Sequence, residues 1–300
     1  PSHNEEGNIQ HVVNEIHKVL KVLNYEYQIL FVDDGSTDNT LSIIEEISKI
    51  DNKVFYIELS RNFGHQNALK AGLDIVNADV VITMDADMQH PPAIIPAMLN
   101  KWEQGYDIVY TRREEDKTLG FIKRKTSKGF YKLMNNLSDI EFEEGTADFR
   151  LMDRNVVEAF KTFSEKDLFI RGLVNWLGFK QYAIDYIPAQ RFSGTSKYTF
   201  KKMARFAIQG ITSFSTKPLY VAIYLGFGLS FFAFFFYMGY VLYSLYFGHV
   251  ISGWASVIST IVFFGGINLL VLGIIGMYVG KMFMQTKRRP NYLIRKTNYK

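Results

Sequence analysis

Two carboxylates one residue apart, Asp85 and Asp87, follow directly on the apolar, β-branched run Val80-Val81-Ile82-Thr83-Met84. Such a run predicts a strand buried on both faces. Carboxylates at i and i+2 converge where a strand gives way to a loop, and open α/β folds bind ligands at that edge of the sheet. Like charges sharing a site repel, so both stay ionised most readily with a cation between them. Hard oxygen donors suit Mg2+ or Mn2+, which keep positions open for the phosphates of a substrate. A solvated acidic loop is the plain alternative. A second acidic pair, Asp33-Asp34, closes the run Gln28-Ile29-Leu30-Phe31-Val32 and opens the turn Gly35-Ser36-Thr37-Asp38. Turn formation is the ordinary role of Asp there.

The elements that must position these groups alternate in type. Ile9, Val12, Val13, Ile16, Val19, Leu20 and Leu23 recur at helical spacing, a helix of about eighteen residues with one buried stripe. A strand through Val32, a helix to about Ile50 and a strand over Val54–Leu59 come next. The loop Arg61-Asn62-Phe63-Gly64-His65-Gln66 then leads into a helix to about Asn77. After the Val80 strand, Pro92 suits the first turn of another helix, and Asp107–Thr111 reads as one more strand. Strands alternating with helices predict an α/β domain with a mostly parallel, Rossmann-like sheet covered on both faces.

Beyond that domain the composition splits. From Pro218 to Gly280 the chain holds no Asp, Glu, Lys or Arg, although its overall net charge is a mild +4. Leu219–Phe247 and Trp254–Gly280 are each long enough to span a bilayer, and the short link between them allows only a hairpin. Lys201, Lys202, Arg205 and Lys217 precede the first span; Lys281, Lys287, Arg288 and Arg289 follow the second; the link carries none. The positive-inside rule then places both flanks in the cytoplasm. Lys117–Leu137 and Thr199–Ser215 read as basic amphipathic helices suited to a membrane surface. Basic residues gathered beside an apolar block fit lipid rather than nucleic acid. The chain has no cysteine, which rules out disulfides and thiolate metal sites. It opens at Pro1 without an initiator Met, and a preceding segment is expected.

In one order the chain carries P-S-H-N-E-E, V-D-D-G-S-T-D, S-R-N-F-G-H-Q, M-D-A-D-M-Q-H-P-P, T-A-D-F-R-L-M-D and R-F-S-G-T-S-K-Y. Together with the hairpin, these motifs resemble the GT-A glycosyltransferases of family 2 that load sugars onto polyprenyl phosphates. Dolichol-phosphate mannose synthases and bacterial undecaprenyl-phosphate glycosyltransferases are of this kind. The resemblance covers nearly the whole chain. It implies a nucleotide-sugar-binding half over residues 1–115 and an acceptor half with membrane-surface helices over 116–217. A transmembrane hairpin over 218–283 and a cytoplasmic basic tail over 284–300 would complete the chain. Pro1, His3, Glu5, Val32, Asp34 and Ala86 match nucleotide-binding positions, and Asp85, Asp87 and Gln89 match metal positions. His3 stands where Tyr is usual, which leaves the base preference open. One of Asp33 and Asp34 is expected to shape the turn and the other to bind the base. Arg112, Arg191 and Lys197 match cations around the donor and acceptor phosphates, where Arg offers bidentate donors and Lys a point charge. Asp148 matches an acidic residue near the acceptor, either as base or orienting group, or as a structural partner of Arg150.

The expected activity is metal-dependent, inverting transfer of one sugar from a nucleotide-diphosphate sugar, expected to be a UDP-sugar, to polyprenyl phosphate. It would take place at a bacterial plasma membrane, with the enzyme multi-pass and its catalytic domain cytoplasmic. A homo-oligomer would fit the family. An inactive nucleotide-sugar-binding scaffold or sensor, or a polysaccharide synthase, is the alternative. The synthases carry a Gln-x-x-Arg-Trp motif that this chain lacks. A dinucleotide oxidoreductase lacks support, since no Gly-x-Gly-x-x-Gly follows a strand.

Overall fold

The computed structural model describes residues 1–113, 135–136, 145–166, 168–187, 211–247 and 253–299. Helix α1 (Ile9–Leu20) buries Ile9, Val12, Val13 and Ile16 and stops short of the predicted length at Lys21. Its stripe packs with Ile29 and Phe31 of β1 (Ile29–Asp33), Ile44 of α2 (Thr40–Ile50) and Val54 and Tyr56 of β2 (Val54–Leu59). The two strands pair in parallel, Ile29 opposite Val54 and Asp33 opposite Glu58, as a crossover through α2 requires. Ser2 adds a parallel bridge on Asp33, so the first residues of the chain lie along the sheet.

Helix α3 (His65–Ile75) leads to β3 (Val80–Thr83); a single 3-10 turn at Pro92–Ile94 precedes α4 (Ile95–Glu103), and β4 (Ile108–Arg113) follows. The segment after it corrects one expectation. Thr146–Asp153 is a full strand, β5, inserted antiparallel between β3 and β4. After α5 (Arg154–Lys161) and α6 (Ile170–Trp176), strand β6 (Gln181–Tyr186) pairs in parallel with β4. These four strands form a sheet of their own, in the order β3-β5-β4-β6, and it is mixed rather than mostly parallel. Burial of β5 along almost its whole length made the difference, since its charges Asp148 and Arg150 lie inside. Asp153 caps α5 by accepting from Asn155 N at 2.9 Å.

Helices α7 (Lys217–Phe247) and α8 (Trp254–Thr286) contain the apolar stretches Lys217–Ser244 and Phe263–Thr286, of mean hydropathy 2.0 and 1.9. By length and composition both suffice to cross a membrane. The helix expected over Lys117–Leu137 lies outside the described residues except for 135–136. Of that over Thr199–Ser215, residues 211–214 are helical and 199–210 lie outside.

The last residues return to the α/β domain. Strand β7 (Ile294–Thr297) pairs antiparallel with β2. Arg295 reaches Glu58 at 2.8 Å, Lys296 reaches Glu45 at 2.6 Å, and Tyr292 donates to Asp74 at 2.8 Å. Deleting residues 291–300 uncovers the β2 edge and removes these contacts. The exposed ion pairs are individually weak, but together with the strand pairing their loss should lower the unfolding temperature by about 4 °C or more. Differential scanning fluorimetry in detergent checks this; an unchanged transition would show that the strand is not needed for stability.

Candidate active site

Three strand ends and the first residues of the chain converge. At the end of β1, Asp33 accepts from Ser36 N at 3.1 Å and forms the turn. Asp34 accepts from Phe63 N at 2.7 Å and Gly64 N at 2.9 Å, tying this turn to the loop after β2. The approach is close enough that only glycine fits at position 35. Its φ is 66°, and a Cβ there would stand 2.5 Å from the carbonyl carbon of Arg61. Burial pushes the Asp34 carboxyl up, and the two N–H bonds oppose it.

A cleft of about 290 Å³ opens between these loops, lined by Pro1, Ser2, His3, Glu5, Asp34, Asn62, Gly64, His65, Asp85, Ala86 and Asp87. Six predicted nucleotide and metal residues on distant stretches thus share one wall with Ala86. Val32 stands behind it: its side chain is in the core with Ile57 and Leu59, and its carbonyl accepts Ser2 N at 2.9 Å. Arg112 sits at the end of β4, paired with Asp185 at 2.6 Å. Its neighbour Arg113 donates to Gln89 Oε1 at 3.2 Å and to the Tyr186 hydroxyl at 3.1 Å. Arg191 and Lys197 lie outside the described residues.

The loop after β3 is held from below. His90 is buried, its ring stacked on Phe149 at 5.2 Å, and its Nδ1 accepts the Asp85 N–H at 3.0 Å. Burial pushes His90 down, and the accepting Nδ1 assigns a neutral ring with its proton on Nε2. Met88 takes a left-handed φ of 63°, and the Gln89 N–H turns back to Asp87 Oδ1 at 3.1 Å. His65 Nε2 meets Asp85 Oδ1 at 2.6 Å. Burial alone would raise Asp85, but the bond and charge of His65 hold it well below the usual carboxylate range. The same contact raises His65 against its own burial.

His65 also stands 4.0 Å from Asp148. Asp148 accepts from Arg171 Nε at 2.9 Å and from its NH2 at 2.8 Å, and Arg150 lies 3.6 Å away. Burial would raise this carboxyl, yet Arg171 and then Arg150 bring it below its ordinary value. Of the two partners, Arg171 is the one no sequence motif pointed to; His65 and His90 lie in motifs of the sequence but had no role assigned, and Arg113 was not singled out.

Among the described residues no three His, Cys, Asp or Glu side chains gather into a metal cage. Two carboxylates at the cleft edge nevertheless fit Mg2+ or Mn2+, which take one or two carboxylates and fill the remaining positions with water and substrate phosphate. Gln89 is engaged by Arg113, so Asp85 and Asp87 are the donors that best fit such an ion.

Residues 1–160 match the family model for glycosyl transferase family 2. An uncharacterized glycosyltransferase, YkcC, of Bacillus subtilis (strain 168) is 43% identical over 99% of this chain and 92% of its own length. A prophage bactoprenol glucosyl transferase homolog of Escherichia coli (strain K12) is 38% identical over 99% and 97%. The bactoprenol glucosyl transferase of Shigella phage SfII is 39% identical over 99% and 96%. The mannosyltransferase PcManGT of Pyrobaculum calidifontis, solved with GDP-Man and Mn2+, superposes with a TM-score of 0.48 over 71% of this chain and 61% of that one, at 14% identity, too remote to bear on ligands. Matched over more than half its length by the family model and over nearly all of it by these relatives, the chain is a glycosyltransferase of family 2 with a GT-A-type fold.

Proposed function

We propose that the protein transfers one sugar from a UDP-sugar to polyprenyl phosphate at the cytoplasmic face of a bacterial plasma membrane, with inversion at the anomeric carbon. The observation that carries this reading is the cleft that joins Pro1, His3, Glu5 and Asp34 to Asp85 and Asp87. One end offers groups for a base and ribose, the other two carboxylates for a diphosphate and its cation. Bound there, Mg2+ or Mn2+ would neutralise charge on the departing nucleotide. Asp34 carries two backbone N–H bonds and still lines the cleft, so it serves turn and nucleotide together.

Asp148, held down by two arginines, is a poor proton acceptor. A hydroxyl acceptor needs a general base, whereas a phosphate monoester is already mostly dianionic at neutral pH. The site therefore suits a phosphate nucleophile, with Asp148 orienting Arg171 and Arg150 rather than moving a proton. Arg191 and Lys197 are the cations we assign to the acceptor phosphate. The names of the bactoprenol relatives support the same acceptor class, and glucose, named for them, is the first sugar to test.

Of the described side chains of α7 and α8 only Ala222 is buried and most are exposed, an apolar surface far larger than water tolerates on a monomer. Both helices cross the bilayer in this reading. With β7 on β2, the residues before α7 and after α8 share one side. Because the chain is cysteine-free, Ser252→Cys and Lys300→Cys give clean reporters. On intact cells an impermeant thiol reagent should label Ser252→Cys alone; labelling only at Lys300→Cys would reverse the orientation. For the activity, purified protein is given undecaprenyl phosphate and a panel of radiolabelled UDP- and GDP-sugars. Lipid-extractable label from one UDP-sugar is expected. Nucleotide binding without transfer from any donor would make the chain an inactive scaffold.

A further inference from the structure

Among the described residues one large aromatic ring stands exposed away from α7 and α8. Trp176, the last residue of α6, is 62% exposed, and its ring meets Phe163 edge-on at 5.8 Å. Phe163, Leu177, Phe179 and Phe214 pack on the core cluster that contains Phe160 and Leu173. The ring therefore rests on a rigid apolar shelf, and it is the shelf's outermost member.

The position of that shelf is fixed by bonds to the apolar helices. Just after Phe163, the Ser164 carbonyl accepts from Gln285 Nε2 at 3.2 Å, and the Lys166 N–H donates to Gln285 Oε1 at 3.0 Å. Gln285 is one residue from the end of α8, whose charge-free stretch stops at Gly280. Phe214, three residues before α7 begins, meets Phe169 at 6.0 Å. Both helices thus leave the domain against the same shelf. Lys217 opens α7, Lys281 and Lys287 lie at the end of α8, and Lys166 bonds Gln285 there through its N–H.

We propose that Trp176 is an interfacial anchor whose ring enters the headgroup–acyl boundary of the bilayer. The proposal rests on the reading that α7 and α8 cross that bilayer. Indole is suited to this depth, where its apolar body meets acyl chains and its N–H meets polar headgroups. The surrounding lysines add attraction to anionic lipid. Helix α6 carries Trp176 at one end and Arg171, bound to Asp148, near the other. Anchoring this helix sets the acceptor side of the cleft at the lipid surface.

The protein has three tryptophans. Trp102→Phe with Trp254→Phe leaves Trp176 as the sole emitter; the Trp102 change gives up one hydrogen bond, to Asp153. The full chain is reconstituted in phosphatidylethanolamine–phosphatidylglycerol vesicles carrying lipids brominated either near the headgroup or deep in the chain. Trp176 emission should be quenched, and more by the shallow label than by the deep one. A companion protein with Trp176→Phe added and Leu269→Trp as its only indole reports on α8, and the deep label should quench it. Quenching at position 269 without quenching at Trp176 overturns the anchor and keeps the spans. Quenching at neither overturns the spans as well. Trp176 shielded from both lipid bromine and aqueous acrylamide would mean that a second copy of the chain covers it, which also overturns the anchor.

Discussion

Asp85→Asn and Asp87→Asn should each lower sugar transfer by at least about a hundredfold, the scale seen when one group that stabilises developing charge is removed. An amide keeps the size and the acceptor oxygen of the carboxylate but not the charge that balances a divalent ion. Asp87 bonds the Gln89 N–H, which an Asn Oδ1 still accepts. Asp85 in addition faces His65 at 2.6 Å, so its replacement also removes the hydrogen bond and counter-charge that raise His65. The two variants should therefore share the catalytic loss, with the Asp85 variant alone also less stable. Electron paramagnetic resonance of Mn2+ measures the ion directly: both variants should lose bound Mn2+ while their circular dichroism stays native. Full transfer in EDTA would end the metal assignment.

The second large effect is expected at Arg171. Arg171→Ala takes both donors from Asp148 and leaves a nearly buried carboxylate with Arg150 at 3.6 Å. A charge-assisted pair of this kind contributes about 1.5–3 kcal/mol, or roughly ten- to a hundredfold in transfer if the geometry of Asp148 matters to the acceptor. The variant also carries a pH signature. In the native protein Asp148 has a depressed folded-state value, so its stabilising contribution is complete above the unfolded value and is lost as pH falls through the folded one. Without Arg171 the folded value rises, and acid unfolding should begin at a higher pH than in the native protein. Arg171→Lys restores charge but not the fork and should recover stability more than transfer. Acid titration by circular dichroism beside transfer assays tests both; an unchanged acid limb would show that Arg171 does not hold Asp148.

What the sequence revealed and what it concealed divide along physical lines. The apolar runs of β1, β2 and β3 announce themselves, and so do the acidic turns that end them, because each is a local pattern. The charge-free block announces its helices for the same reason. Strand β5 was harder to read because Asp148 and Arg150 break its apolar alternation, and only their partners in the fold make those charges tolerable inside. Arg171 is an ordinary residue in the sequence, and His65 sits in a motif that does not reveal its task; their importance comes from contacts across 23 and 20 positions. His90 lies in a quoted motif, yet its task, accepting a backbone N–H five residues away, is visible only as geometry. Arg112 and Arg113 are adjacent, and spacing alone does not say which of them reaches Gln89. Strand β7 is short, carries Arg295 and Lys296, and follows a membrane-length helix, so nothing local marks it as part of a sheet.

That final strand has a mechanical consequence. A globule joined to a membrane by one connection can tumble on it; joined by two, it keeps a single height and heading. Here the second connection runs from α8 through Asn291, which bonds the Glu165 carbonyl at 2.8 Å, into the β2 edge. With the helices in the bilayer, the mouth of the cleft cannot swivel away from the lipid plane. A lipid acceptor then finds it by lateral diffusion in two dimensions, at a local concentration set by membrane area rather than cell volume. Cutting the strap while leaving every cleft residue intact should therefore raise the apparent KM for the membrane-borne acceptor and spare that for the soluble donor.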